Sequence, residues 1–316
     1  PFLESIRQLK WELGKRALCV HLTYIPYLAA AKELKTKPTQ HSVKELQSVG
    51  IQPDILVLRT EHPINDNIRK KVANFCNVDA DAVVQSVDMP TIYEVPVRMQ
   101  EQKLDETILR KMGEPVGEPP TLGPWRSFLE RRHKATEIVN IGLVGKYDLQ
   151  DAYKSILESL SQAGTYNDYK VKTTFINSEK ITEDNVAEKL KDMDGIVICP
   201  GFGQRGIEGK IVAAHYTRTH DIPTFGICLG MQMMVIEFAR NVLGYEDANS
   251  REMDEKTEHN VIDIMEDQKN ITNMGGTMRL GAYECILKQG SRVFDIYKKE
   301  YIQERHRHRY EFNNDF

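Results

Sequence analysis

Apolar residues recur at Leu3, Ile6, Leu9 and Leu13, the spacing of one helix face, and Gly14 closes the run. Three short β-rich runs follow at 18–25, 54–59 and 82–87, with a helix-like stretch at 67–75 between the last two. The alternation resumes with strand-like 137–144, helical 151–163, strand-like 170–176 and 195–198, and an apolar run at 224–227 that feeds a helix-like segment. Strands alternating with helices predict α/β architecture with parallel sheets, here two doubly wound units. Between them, residues 113–124 are too rich in proline and glycine to sustain a helix or a central strand, and a basic segment follows from Trp125 to Lys134. This predicts a first domain over 1–112, a linker over 113–135 and a second domain over 136–316.

Composition narrows the classes. A length of 316 residues is enough for two cores. A net charge of −4 gives no electrostatic case for a nucleic-acid or acidic-membrane partner. The five cysteines, Cys19, Cys76, Cys199, Cys228 and Cys285, are odd in number and contain no Cys-x-x-Cys pair, which argues for a reducing, cytoplasmic setting. The longest apolar run is broken by His21 and Pro26, so no membrane span is expected, and no signal peptide is read.

The strongest chemical signal is Gly226-Ile227-Cys228-Leu229-Gly230, entered from an apolar strand and left by a helix. This is the layout of a nucleophile elbow, in which glycines permit a tight turn and the thiol projects from its tip. The helix N-terminus behind it is expected to lower the thiol pKa. A buried structural cysteine is the plain alternative. Upstream, Pro200-Gly201-Phe202-Gly203-Gln204-Arg205-Gly206 follows a strand and suits an oxyanion hole, although such a loop also serves as a simple connection. Pro200 lacks an N–H, so donation has to come from Gly201 or beyond. In the first unit, Lys35, Thr36, Lys37, Pro38, Thr39 and Gln40 form a turn-like cationic segment suited to phosphate, or an ordinary solvated loop.

The elbow and its glycine loop resemble the class I glutamine amidotransferases. Further stretches are similar to the CTP synthase family: Lys35 to Ser42, Gly50 to Asp54, Phe75 to Val78, Gly203 to Lys210, Gly275 to Gly281 and Glu304 to Glu311. The resemblance implies a P-loop-like synthetase remnant followed by a flavodoxin-like glutaminase. It implies amination of UTP to CTP at the expense of ATP, with ammonia from glutamine, in a homotetramer, with GTP as activator and CTP as feedback inhibitor. Cys228 matches the nucleophile, with Gly201 and Leu229 as oxyanion donors. Gly201, Leu229, Gly230, Met231, Gln232, Glu252 and Arg309 match the glutamine site, Glu252 facing the α-ammonium and Arg309 the α-carboxylate. Lys35 to Gln40 and Lys71 match the UTP/CTP site.

His306 and His308 sit in an alternating Arg305 to Arg309 segment that, as a strand, sets three arginines on one face. The resemblance assigns the base to a downstream His-x-Glu motif, leaving these histidines structural or at a domain interface. It places the ATP-phosphate loop and the Mg²⁺ ligands upstream, so no metal ligand is named, and the chain is expected to be an internal fragment, inactive by itself. Two other readings stay open. One is another Gly-x-Cys-x-Gly hydrolase, such as a γ-glutamyl peptidase, and the other is a catalytically silent nucleotide-sensing or assembly module.

Overall fold

A computed structural model describes residues 1–147, 150–269, 271 and 276–316, so Gly275, quoted above, lies outside the described residues. The chain forms two compact units, Pro1–His133 and Lys134–Phe316. The first contains α1 (Phe2–Leu13), β1 (Val20–Ile25), β2 (Tyr27–Leu28), β3 (Glu33–Leu34), α2 (Lys37–Ser48), β4 (Ile55–Thr60), α3 (Asp66–Cys76), β5 (Val83–Val87), α4 (Val95–Glu101), α5 (Leu104–Met112) and α6 (Gly123–Lys134).

A parallel sheet of order β1-β4-β5 forms its centre, with Ile25 opposite Thr60 and Thr60 opposite Val87. The central strand reads as a nearly continuous apolar run because both of its faces are covered, and Ile55, Leu56 and Leu58 are fully buried. α3 starts where the Asn65 side chain accepts from the Ile68 N–H, and it stops at Asn77 in the left-handed region. One element departs from the linker expectation. Trp125, Phe128 and Leu129 share a face of α6 and pack on Tyr93 and Val97, while the Trp125 indole donates to the Tyr93 carbonyl at 2.8 Å. That apolar stripe makes helix out of the basic segment that follows the proline- and glycine-rich stretch.

The second unit contains β6 (Ile138–Gly145), α7 (Lys154–Tyr166), β7 (Lys170–Asn177), α8 (Val186–Leu190), β8 (Gly195–Ile198), α9 (Ile207–Thr219), β9 (Thr224–Gly226) and α10 (Leu229–Asn241). After them come β10 (Ile262–Ile264), β11 (Arg279–Ile286), α11 (Arg292–Tyr297), β12 (Tyr301–Arg307) and β13 (Tyr310–Phe312). β6 to β9 form a parallel sheet of order β7-β6-β8-β9. Along β8, Ile196 and Ile198 pack to one side with Val144 and Ala213, and Val197 packs to the other with Leu143 and Tyr153. Strand order reverses between β6 and β8, and open α/β sheets bind ligands at the carboxyl ends beside such a reversal. The loop after β8 and the turn after β9 both lie there. Two antiparallel pairs, β10 with β13 and β11 with β12, complete the described fold.

α9 and α10 are tied together by a buried charge. Glu237 is 2% exposed and receives three guanidinium contacts from Arg218 at 2.8, 2.9 and 3.1 Å, one from His215 at 2.9 Å and one from Asn241 at 3.2 Å. Burial pushes its carboxyl up, but the hydrogen bonds from Arg218 and His215 outweigh that and hold it below the ordinary value. A carboxylate depressed in the folded state stabilises the fold above its unfolded pKa, and that stability is lost as pH falls through the folded value. Glu237→Gln should therefore destabilise the chain by about 1–3 kcal/mol at neutral pH, the cost of a charged partner lost from a buried network. Urea unfolding should show the deficit shrinking as wild type is taken below pH ~4. An equal midpoint for both proteins at pH 7 would remove Glu237 from the stabilising groups.

Candidate active site

Cys228 stands between β9 and α10 with a φ of 54°, a left-handed conformation rare for a residue with a side chain. The flanking glycines explain the geometry. A Cβ on Gly230 would overlap the Ile198 carbonyl of β8, and one on Gly226 would come within 2.6 Å of the Met231 nitrogen. With no room on either side, the turn takes its strain at the cysteine. The Leu229 N–H and the Lys210 charge favour the thiolate, but burial is the larger effect and Glu252 adds to it, so the thiol lies above its ordinary pKa. The expectation of a lowered thiol pKa is thus corrected, because desolvation exceeds the contribution of the helix N-terminus.

β8 runs parallel beside β9, Ile198 opposite Gly226, so the loop that follows β8 is carried next to the elbow. Its carbonyls are tied from below. Lys210 on α9 donates to the Cys199 oxygen at 2.7 Å, and Lys146, just past β6, donates to the Phe202 oxygen. Among the described residues, no hydrogen bond uses the N–H of Gly201 or Phe202. Two backbone donors are therefore unspent beside a nucleophile.

One cavity of about 270 Å³ is lined by Gly201, Phe202, Cys228, Leu229, Gln232 and Glu252, and also by Met278, His308, Arg309 and Tyr310. That lies below the roughly 300–1,000 Å³ of drug-sized pockets and suits an amino-acid-sized ligand. Gln232 is held by its amide, which donates to the Tyr310 carbonyl at 2.9 Å. Burial raises the Glu252 carboxyl, offset by the Gly203 N–H and by the Lys146 and Arg309 charges. The Arg309 guanidinium donates to Gln268 at 3.0 Å and to Thr277 at 3.1 Å, which leaves further N–H groups for a ligand. Gly230 and Met231 do not line this cavity; Gly230 is packed on β8, and Met231 faces an apolar groove with Phe225 and Phe238.

The alternating segment at 305–309 does not stay a strand. β12 ends at Arg307, and the bend at 308–309 turns Arg309 away from the exposed Arg305 and Arg307 and brings His308 to the cavity wall. His308 accordingly belongs to the site, although the sequence reading set it aside. It pairs with His306 at 3.0 Å, and burial followed by the His306 charge lowers its pKa. The sequence reading assigned no role to Lys146, Lys210, Met278 or Tyr310, although the last three lie within the family-like stretches 203–210, 275–281 and 304–311.

In the first unit, Lys37 to Gln40 are the opening turn of α2, with proline tolerated there, and not a free turn. Thr36, Thr39 and Gln40 are buried. Thr39 donates to the Tyr24 carbonyl at 2.9 Å and Gln40 to the Thr36 hydroxyl at 3.2 Å. Lys35 pairs with Glu33, while Lys37 and Pro38 are exposed. Lys71 is exposed on α3, and among the described residues no hydrogen bond or ion pair joins it to this segment. No group of three or more His, Cys, Asp or Glu among the described residues is placed to hold a metal ion, so no step is derived through magnesium. No helix among them is long and apolar enough to cross a membrane.

Similarity to known proteins follows the two units. Residues 1–113 match the family described as CTP synthase N-terminus, and residues 148–316 match glutamine amidotransferase class-I. The whole chain is 77% identical to a CTP synthase of Bacteroides thetaiotaomicron, 65% to one of Porphyromonas gingivalis and 57% to one of Flavobacterium johnsoniae. It spans 59% of the length of each of these. Among solved structures, the glutaminase domain of Trypanosoma brucei CTPS with bound acivicin is 40% identical with a TM-score of 0.51, covering 55% of this chain and 68% of that one. Since the amidotransferase match extends over more than half of its residues, the chain belongs to the class-I glutamine amidotransferase family.

Proposed function

We propose that the second unit hydrolyses glutamine, and that the protein uses the ammonia to convert UTP to CTP. The observation that carries the reading is Cys228 on its strained turn, sharing one small cavity with the unspent N–H groups of Gly201 and Phe202 and with Glu252 and Arg309. The α-ammonium of glutamine would face Glu252 and its α-carboxylate the Arg309 fork, which sets the side-chain amide toward the thiol. The thiolate attacks the amide carbon, and the carbonyl oxygen becomes an oxyanion received by backbone N–H groups, with Leu229 as a further donor. Collapse breaks the C–N bond, the nitrogen leaves as ammonia after taking a proton, and water cleaves the thioester to release glutamate and the thiol. The resemblance gives the proton transfers to a downstream His-x-Glu motif.

Residues 1–112 are read as part of the synthetase domain and 136–316 as the glutaminase. Lys35 to Gln40 and Lys71 are read as contacts for UTP or inhibitory CTP. ATP with Mg²⁺ as the energy source, GTP as activator, a homotetramer and a cytoplasmic site belong to the same reading. It is favoured over a γ-glutamyl peptidase by the 77% identity that runs through both units.

Several measurements test it in a version extended to the length of its relatives. Cys228→Ser should abolish ammonia release from glutamine, and Arg309→Met should raise the glutamine KM roughly 10- to 100-fold, the loss of a charge-assisted contact. Hydrolysis of γ-glutamyl peptides in preference to free glutamine would instead favour the peptidase. Lys35→Ala should weaken UTP binding by about 1–3 kcal/mol in a calorimetric titration while glutamine hydrolysis persists. Equal UTP affinity would return Lys35 to a surface partner of Glu33.

A further inference from the structure

Two lysines lie under the Cys199–Gly203 loop, where a core would ordinarily hold apolar residues. Lys210 is 0% exposed and Lys146 is 5% exposed. The only hydrogen bond of the Lys210 ammonium among the described residues is to the Cys199 oxygen. Such a group is costly to bury, and replacing it with an apolar chain of equal length should be harmless unless its charge is used. Its surroundings show two uses. A Cβ on Gly201 would lie 3.8 Å from the Lys210 Nζ and 3.3 Å from the Lys146 Cε, so the loop rests on both side chains. With the Cys199 and Phe202 carbonyls drawn down to them, the intervening N–H groups of Gly201 and Phe202 are left to the cavity.

We propose that Lys210, with Lys146 as a second anchor, is a positioning residue for glutamine hydrolysis. It holds the loop so that the oxyanion donors face the cavity, and it sets a cation beneath the loop beside the elbow. The inference rests on the glutaminase reading for its substrate, but its effect on the thiol does not. The charged and titratable groups around that thiol are Lys210 from α9, Lys146 from the turn after β6 and Glu252 from the segment after α10. His308, Arg309 and Tyr310 reach the same cavity from the C-terminal segment. Burial lowers the Lys210 pKa to about 8, so the brace is charged at neutral pH and weakens in alkali.

The test compares wild type, Lys210→Met and Lys210→Gln in a version extended to the length of its relatives. Carbamidomethylation of Cys228 by iodoacetamide, followed on its own peptide by mass spectrometry, is measured against pH. At pH 7 the rate should fall about threefold or more in both variants, since both lose the charge, and the difference should close above pH 8 as Lys210 itself deprotonates. Ammonia release should fall roughly tenfold in kcat for Lys210→Met and less for Lys210→Gln, which keeps a donor for the Cys199 carbonyl, with little change in glutamine KM. An unchanged alkylation rate at pH 7 in both variants overturns the proposal whatever happens to kcat, because a general loss of packing would lower kcat as well. If Lys210→Met fails to fold by circular dichroism, Lys210→Gln decides alone. If a glutamine-shaped chloroketone fails to label Cys228 in wild type, the glutaminase reading fails, and the iodoacetamide comparison, which needs no substrate, still decides the role of the charge.

Discussion

The site depends on how closely the first turn of α10 approaches β8. Gly230 lies against the Ile198 carbonyl with no space for a methyl group, and Gly226 lies against the backbone of Met231. That approach leaves the chain too little room to turn in an ordinary conformation, and Cys228 takes a positive φ, at a cost of about 1–3 kcal/mol by analogy with other strained sites. The rest of the geometry follows from it. The thiol is presented at the carboxyl edge of the sheet, the Leu229 N–H faces it, and the neighbouring strand delivers the glycine loop beside it.

The same tight packing that builds the elbow works against its chemistry. A thiol removed from water resists ionisation, and here burial raises the Cys228 pKa in spite of the helix behind it. The compensation is a set of nearby donors and charges: the Leu229 N–H, and the Lys210 ammonium, which suffers its own desolvation and lies low at about 8. A cysteine in this setting keeps its proton until a substrate and a proton acceptor are in place. That limits adventitious oxidation and alkylation of the resting site, because only the thiolate is strongly nucleophilic.

The centre of the second unit's sheet was legible because β8 is buried on both faces. Four consecutive apolar or small residues at 195–198 form β8 as read, and the elbow glycines mark their own turn. What was not legible depended on tertiary contact. α6 lies inside a segment read as linker because its apolar stripe becomes visible only against Tyr93 and Val97. Lys35 to Gln40 read as a loop because hydroxyls and amides look solvent-seeking until Thr39 and Gln40 are seen bonded inside the fold. His308 and Arg309 followed strand alternation on paper, but the chain changes partners at that point, from β11 to β10, and the bend reverses which side chains face inward. Lys146 and Lys210 had no role legible in the sequence, since that role lies in the carbonyls they reach.

A division of labour follows from the topology. The nucleophile and the oxyanion loop rise from adjacent parallel strands of one sheet. Glu252, Arg309 and Tyr310 instead come from segments outside that sheet, brought together by the β10–β13 ladder, in which Ile264 opposes Tyr310, and by the bridge between Ser250 and Ile262. Gln232 joins the two systems, since it leaves α10 one turn beyond Cys228 and donates to the Tyr310 carbonyl. A change in the ladder would alter which ligand is held, while the sheet would keep the reacting atoms in place. Precision belongs on the rigid element and selectivity on the adjustable one. Gln232 is then where a shift in ligand recognition would be felt by the helix that presents the nucleophile.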